Sequence, residues 1–372
     1  MKTMTTENTQ SEQEPKIFRT LREDVTRGDF KRSVKREYSE MKEFMLDEQR
    51  KKRLNEMSSL RRWFYTVWWL FKSLFFKLTP ARRILLVVGI LLVVGSRTIT
   101  YTDDHVRVSS DTNSFGILCI LFVLMLELKD KLVAKKELEA GRAVQEALMP
   151  ERSPSVPGWE LWLFTRSANE VGGDLVDFIK IDGNRFGVAL GDVAGKGLRA
   201  ALLSAKLQAT LRAIVPDCTS LAELGTKLNT IFCRGSIASI FASLVYAEIK
   251  PNSGALRMLN AGHMPPLILR RNALEVMEKG GAALGIMLGT TFTEQRVGLE
   301  SNDFLLVHSD GLTEAENPQG EFFGEQRLRE LLPRLDSLTT DQIGERLVEE
   351  VDRFVGEAKV HDDLSIVIVR RA

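Results

Sequence analysis

Beyond Gly158, short apolar runs alternate with polar turns, and the runs are too brief for helices. This pattern predicts strands at Glu160–Phe164, Phe178–Ile181, Arg185–Leu190, Phe241–Ile249, Ala255–Asn260, Leu267–Leu269, Phe304–His308 and Leu364–Val369. Three longer stretches, Leu198–Ile214, Leu221–Cys233 and Asp341–Val355, carry helical periodicity. Strands that mostly follow one another without an intervening helix point to antiparallel sheets covered by helices, not to a parallel doubly wound sheet.

The first 158 residues read differently. Residues 1–30 are polar and aperiodic and are expected to be disordered. From Lys31 to Met57 the charges mix, and Val34, Tyr38, Met41 and Met45 share one helical stripe. Residues 61–78 (RRWFYTVWWLFKSLFFKL) are rich in aromatics among four basic side chains, a pattern that suits an interfacial helix. Two apolar runs follow, Ile84–Gly95 and Phe115–Leu126, each shorter than a comfortable membrane span of about 17–25 residues. Extending the first through Tyr101 with Arg97 snorkelling, and starting the second near Thr112, makes two spans. Asp103, Asp104 and Asp111 lie between them, whereas Arg82, Arg83, Lys129, Lys131, Lys135 and Lys136 lie outside. The positive-inside rule then predicts a two-helix membrane hairpin with both ends in the cytoplasm, a monotopic or soluble helical region being the alternative. Residues 127–149 are strongly helix-forming, with loosely periodic leucines that would permit a homodimeric coil. Pro150, Pro154 and Pro157 end that linker. The expected division is therefore 1–58 polar, 59–80 interfacial, 81–128 hairpin, 129–157 linker and 158–372 the strand-rich domain.

Composition changes this picture little. A net charge of +1 gives no sign of nucleic-acid binding, and the basic residues crowd positions 50–83 and 129–142, beside the apolar runs. Cys119, Cys218 and Cys233 match no disulfide or metal spacing, so a reducing compartment is expected. The polar start of the chain does not read as a cleavable signal peptide.

The candidate chemistry lies with aspartates beside apolar strands. Asp192 follows the run Phe186–Leu190 and precedes Gly195, Gly197 and a helix. Alone it is as readily a turn or cap residue as a cation ligand. A P-loop is excluded, because three residues and not four separate Gly191 from Gly195, and Gly197 follows Lys196. The same arrangement recurs at VGGDLVD (Asp174, Asp177), LLVHSDGLTE (Asp310) and HDDLSIVIV (Asp362, Asp363). Carboxylates gathered from strand ends repel one another unless cations lie among them, and all-oxygen ligation suits Mg²⁺ or Mn²⁺. Two such ions about 3.5–4 Å apart could activate a water and clamp a phosphoryl group.

The ordered stretches LEAGRAVQEALMP, ANEVGGDLVD, GDVAGKGLRAALLSA, FASLVYAEI, LNAGHMPPLIL, GGAALGI, FLLVHSDGLTEAEN and HDDLSIVIV resemble the type 2C, metal-dependent (PPM) Ser/Thr protein phosphatases, in particular their bacterial SpoIIE/RsbU class. The resemblance covers about Leu138 to Arg370. It implies an α+β fold, a four-layer α/β/β/α sandwich with two Mn²⁺ or Mg²⁺ ions at one edge and a hydroxide between them as nucleophile. By motif, Asp192 bridges the ions and the Val193 carbonyl completes that corner. Asp310 and Asp362 are the other principal ligands, Asp174 holds the second ion, and Asp177 and Asp363 are weaker candidates. Ser167, Met264, Ala282, Ala283 and Ser365 depart from the usual motif residues without removing a ligand. His263 reads as structural, Lys196 and Arg199 as phosphate contacts or solvated charge, and Arg166 has no supported role. The implied substrate is a phosphorylated regulatory protein of partner-switching signalling, such as a STAS-type anti-anti-sigma factor. The implied location is the inner membrane with the catalytic domain in the cytoplasm. A catalytically silent signalling scaffold is the competing reading.

Overall fold

The structure, a computed structural model, describes residues 53–54, 57–95, 99–103, 106–110, 112–235 and 240–372. The expectations for residues 1–52 lie outside the described residues. The chain divides into two compact units, residues 1–131 and 132–372, so the first boundary falls inside the expected linker.

In the first unit, helix α1 spans Ser59–Lys77 and α2 spans Pro80–Val94, with Pro80 at the first helical position, where its missing N–H costs nothing. Strands β1 (Ile99–Asp103) and β2 (Val106–Ser110) form a two-stranded antiparallel sheet. Helix α3 (Thr112–Leu148) begins in this unit and ends in the second. α2 and α3 meet where Gly89 faces Gly116, and the Arg82 guanidinium pairs with Glu127 at 2.6 Å and Asp130 at 2.7 Å.

These elements overturn the membrane hairpin and the inner-membrane location. Among the described residues no helix is long and apolar enough to cross a membrane. The 15 residues of α2 cover about 22 Å at 1.5 Å each, against a hydrocarbon core of about 30 Å. The expected extension through Tyr101 does not occur, because Ile99–Asp103 is strand. The apolar part of α3 ends at Glu127, Lys129, Asp130 and Lys131. Arg82, counted as a cytoplasmic marker, is neutralised by acids of the other helix.

The second unit holds β3 (Trp159–Arg166), β4 (Asp174–Lys180), β5 (Phe186–Val193), α4 (Leu198–Ile214), α5 (Leu221–Gly235), β6 (Ala242–Ile249), β7 (Ala255–Ala261), β8 (Leu267–Arg270), β9 (Ala273–Val276), β10 (Glu294–Gly298), β11 (Phe304–His308), the single turn α6 (Asp310–Thr313), α7 (Gly324–Leu331), α8 (Thr340–Val355) and β12 (Leu364–Arg371). Two five-stranded antiparallel sheets have the orders β10-β7-β6-β5-β4 and β3-β12-β11-β8-β9. Because side chains alternate along a strand, each sheet buries two apolar faces. Val176, Val188, Leu190 and Val245 meet Leu161, Leu305, Val307 and Val367 between the sheets. The outer face of the first sheet packs Leu175, Ala189, Leu244 and Leu259 against Leu207, Leu211, Leu224 and Leu228 of α4 and α5. Trp162, Leu306, Ile366 and Ile368 of the second pack against Leu328 of α7 and Ile343, Leu347 and Val351 of α8. The result is the expected four-layer α/β/β/α sandwich. α8 begins with a reciprocal capping box between Thr339 and Gln342.

Candidate functional site

The motif acids lie at strand ends on one edge of this sandwich. β5 carries Asp192 as its penultimate residue, beyond Gly191, where the sequence reading ends the strand. The strand continues because β6 approaches closely there: a Cβ on Gly191 would lie 2.8 Å from the Ser243 carbonyl oxygen. Register sets Asp192 directly opposite Asp174, the first residue of β4. Val193 is fully buried, and its carbonyl oxygen lies beside Gly173. The turn that follows reverses through Gly195 (φ 114°) and Gly197 (φ 74°), backbone conformations that favour glycine. Gly197, not Asp192, is the cap of α4, which removes the capping explanation of Asp192.

The other sheet supplies Asp310, at the start of α6 after β11, and Asp362 and Asp363, just before β12. These two loops touch so closely that a Cβ on Gly311 would overlap the Asp363 carbonyl. Asp363 joins them to the GGD turn by accepting from the backbone N–H of Ala168 (2.8 Å), Gly173 (2.6 Å) and Asp174 (3.3 Å). Ser309 reinforces the junction, donating to the Asp363 carbonyl at 3.0 Å and accepting from Ser365 N–H at 2.9 Å. The Ser365 hydroxyl donates its one proton to Asp174 Oδ2 at 2.5 Å and accepts from Thr165 Oγ1 at 2.8 Å. Ser365 and Ser309 are positioning groups that sequence reasoning passed over; the serine in HDDLS was noted only as a departure from threonine.

The electrostatics are those of crowded acids. Burial pushes Asp174 well above the usual carboxylate range, with the charges of Asp192 and Asp363 adding to the effect and the Ser365 hydrogen bond opposing it. Burial, then Asp310, Asp362 and Asp363, push Asp192 up to about 6. Asp310 is raised by burial first and then by Asp362 and Glu314. A cation is present at the rim: the Lys196 ammonium lies 3.0 Å from Asp362 Oδ2 and 2.6 Å from the His361 carbonyl oxygen. Among the described residues, no three carboxylate or imidazole groups already form a metal cage. The oxygen-only donors and the mutual repulsion of Asp174, Asp192, Asp310 and Asp362 nevertheless fit a hard divalent cation, which would relieve the cost of holding them together.

Asp177 is not part of this group. Three residues after Asp174, it points from the opposite face of β4, fully buried, and the Arg212 guanidinium of α4 grips it at 2.6 and 2.8 Å. Arg166 is held by Asp352 at 2.5 and 3.0 Å, beside the loop carrying Asp362. His263 is buried with both ring nitrogens engaged: Nε2–H donates to the His308 carbonyl at 3.0 Å, and Nδ1 accepts from Ser243 Oγ at 2.7 Å. The site also touches the end of α3. Gln145 donates to the Gly172 carbonyl at 2.9 Å and accepts from Gly172 N–H at 3.2 Å, while the Leu148 carbonyl accepts from Gln208 of α4 at 3.0 Å.

Two antiparallel sheets between helices, with aspartates converging from the strand ends, define the PP2C class of phosphatase fold. The family model described as Stage II sporulation protein E (SpoIIE) matches residues 182–372, just over half of the chain, and the chain belongs to that family. Protein IcfG of Synechocystis is 28% identical over 309 residues, covering 72% of this chain and 48% of IcfG. The phosphoserine phosphatase RsbU of Bacillus subtilis is 23% identical over 239 residues, covering 64% of this chain and 70% of RsbU. The chain thus spans about half the length of the first of these relatives. Among solved structures, the RsbU and RsbW domains of Rv1364c from Mycobacterium tuberculosis superpose with a TM-score of 0.52 at 25% identity, over 59% of this chain and 62% of that one. The SiaA PP2C domain of Pseudomonas aeruginosa gives 0.57 at 16% identity over 65% and 98%, a likeness of fold alone.

Proposed function

We propose that this protein is a metal-dependent phosphoserine/phosphothreonine protein phosphatase acting on a regulatory phosphoprotein in partner-switching signalling, of which a STAS-type anti-anti-sigma factor is the candidate substrate. The observation that carries the reading is the convergence of Asp174, Asp192, Asp310 and Asp362 on one edge of the sandwich, with Asp192 opposite Asp174 and the Asp310 and Asp362 loops in contact. The names of RsbU and RsbP, both phosphoserine phosphatases of Bacillus subtilis, support the reaction class.

In this reading Asp192, the Val193 carbonyl, Asp310, Asp362 and Asp174 would hold two Mn²⁺ or Mg²⁺ ions. When bound, the ions supply Lewis acidity at the phosphoryl group and an activated water. The chain's own contribution is to fix the donors. Asp363 locks the GGD turn through three backbone N–H groups, Ser365 holds Asp174 in one rotamer, and Gly311 lets the two acidic loops close. Lys196, 58% exposed at the rim, is free to turn from Asp362 toward an incoming phosphate dianion.

The test is Mn²⁺-dependent phosphate release from a phosphorylated regulatory protein, with Mn²⁺ binding measured by calorimetry. Wild-type protein should bind the metal and turn over, and Asp192→Asn and Asp310→Asn should each lose about 100-fold or more in rate. Full activity in either variant would sink the metal reading. Absence of metal binding in the wild type would favour the silent scaffold.

A further inference from the structure

A cleft of the second unit lies away from the acids. It encloses about 650 Å³, and its lining includes Arg185, Glu248, Lys250, Arg257, Arg296 and Val297. That volume is within the range of small-molecule sites, roughly 300–1,000 Å³. Gly187, near the start of β5, pairs with Glu248 in the cleft, whereas Asp192 lies five residues further along the strand. At about 3.3 Å per residue the cleft is some 15–20 Å from the acid cluster.

Its charge arrangement is built, not scattered. Glu248, only 5% exposed, accepts from Arg185 Nη2 at 3.0 Å, Arg257 Nη2 at 2.6 Å and the Tyr246 hydroxyl at 3.2 Å. Backbone carbonyls hold the same guanidiniums from behind, Cys218 on Arg185 and Thr219 on Arg257, each at 2.9 Å. Glu294 takes a further contact from Arg257 at 3.4 Å and one from Arg296 Nε at 2.9 Å. Two carboxylates therefore serve three arginines, and among the described residues the Lys250 ammonium meets no carboxylate. The planar forks of Arg185 and Arg257 are fixed in advance, which lowers the entropy lost when an anion docks, and Arg296 and Lys250 are exposed cations of the lining. A phosphate monoester, with two charges and several acceptor oxygens, matches this donor set better than a monocarboxylate, and Leu256 and Val297 offer an apolar wall to its organic part.

We propose that this cleft is a binding site for a small phosphorylated molecule of nucleotide size, held by its phosphate and separate from the acidic edge. The test is calorimetric titration of the metal-free full-length protein, in phosphate-free buffer at fixed ionic strength, with AMP and with inorganic phosphate. AMP should bind one to one with a Kd below about 1 mM, and phosphate should compete with it. Lys250→Gln/Arg296→Gln, two changes in the cleft lining, should weaken AMP at least about tenfold with an unchanged melting temperature, whereas Asp192→Asn should leave it intact. The charge reversal Arg296→Glu should weaken it further. The proposal is overturned if neither probe binds at about 10 mM, if phosphate fails to compete, if the lining variants bind as wild type, or if Asp192→Asn abolishes binding, which would place the anion at the acidic edge.

Discussion

At the residue scale, two titrating side chains act on stability in opposite directions, and variants can separate them. In the metal-free fold the Asp192 pKa rises to about 6 from an ordinary value near 3.8, so between these values the folded state holds more protons than the unfolded one. Stability from this group is present at low pH and is lost as pH rises through about 6. Metal-free protein should therefore gain melting temperature on Asp192→Asn at pH 7.5 but not at pH 4, and Mn²⁺ should stabilise the wild type far more than the variant. Thermal melts with and without metal check both. His263 behaves inversely: burial lowers its pKa to about 4, so the unfolded state binds the extra proton below about 6.5. Its contribution is present above pH 6.5 and is lost as pH falls toward 4. His263→Gln should flatten that acid limb of stability, and an unchanged slope would show that the fold does not hold His263 neutral. The sequence singled out acids that the fold brings to one edge, but it did not show which face of a strand each one occupies. Asp177 looked equivalent to Asp174 in VGGDLVD, and only the two-residue period of β4 separates the converging acid from the one gripped by Arg212.

At the element scale, the acids are held by close contacts between elements remote in sequence, and these contacts are testable. A methyl group at Gly311 has only the Asp363 carbonyl to enter. Gly311→Ala should cost about 3 kcal/mol in denaturant unfolding and abolish phosphatase activity by parting the Asp310 and Asp362 loops. Gln145 ties the end of α3 to Gly172 through a donor and an acceptor at once. Gln145→Glu keeps the acceptor and loses the donor, setting a carboxylate against a carbonyl. It should weaken Mn²⁺ affinity about tenfold while moving unfolding stability by no more than about 1–2 kcal/mol; an unchanged affinity would show that α3 does not position the GGD turn. Periodicity made the long elements legible: β11 and α4 fall within the predicted bounds. It missed β9, β10 and α7 because they are short and largely exposed, so pairing and packing define them, not pattern. It also broke β5 at Gly191, where the partner strand's closeness decides.

At the scale of the whole chain, the two units differ in how they treat apolar surface. The second unit closes three cores around its sheets. In the first, Trp63, Phe64, Trp68, Leu91, Leu118, Phe122 and Met125 are all more than half exposed. The apolar runs that carry this surface, with the basic residues flanking them, prompted the membrane reading, which the strands at residues 99–110 and the Arg82 ion pairs undo. Exposed apolar surface on this scale normally marks an interaction face, and a second copy of the chain is the partner always available at matching concentration. The full-length chain should therefore self-associate, whereas residues 132–372, which bury their own cores, should fold cooperatively as a monomer and retain Mn²⁺-dependent phosphatase activity. Light scattering across a concentration series reads the first outcome, and calorimetric unfolding with a phosphoprotein assay reads the second. A full-length chain that stays monomeric over that series would show that the first unit covers these side chains itself. Self-association persisting in residues 132–372 would move the interface to the exposed Val144 and Leu148 of α3 or to the sandwich.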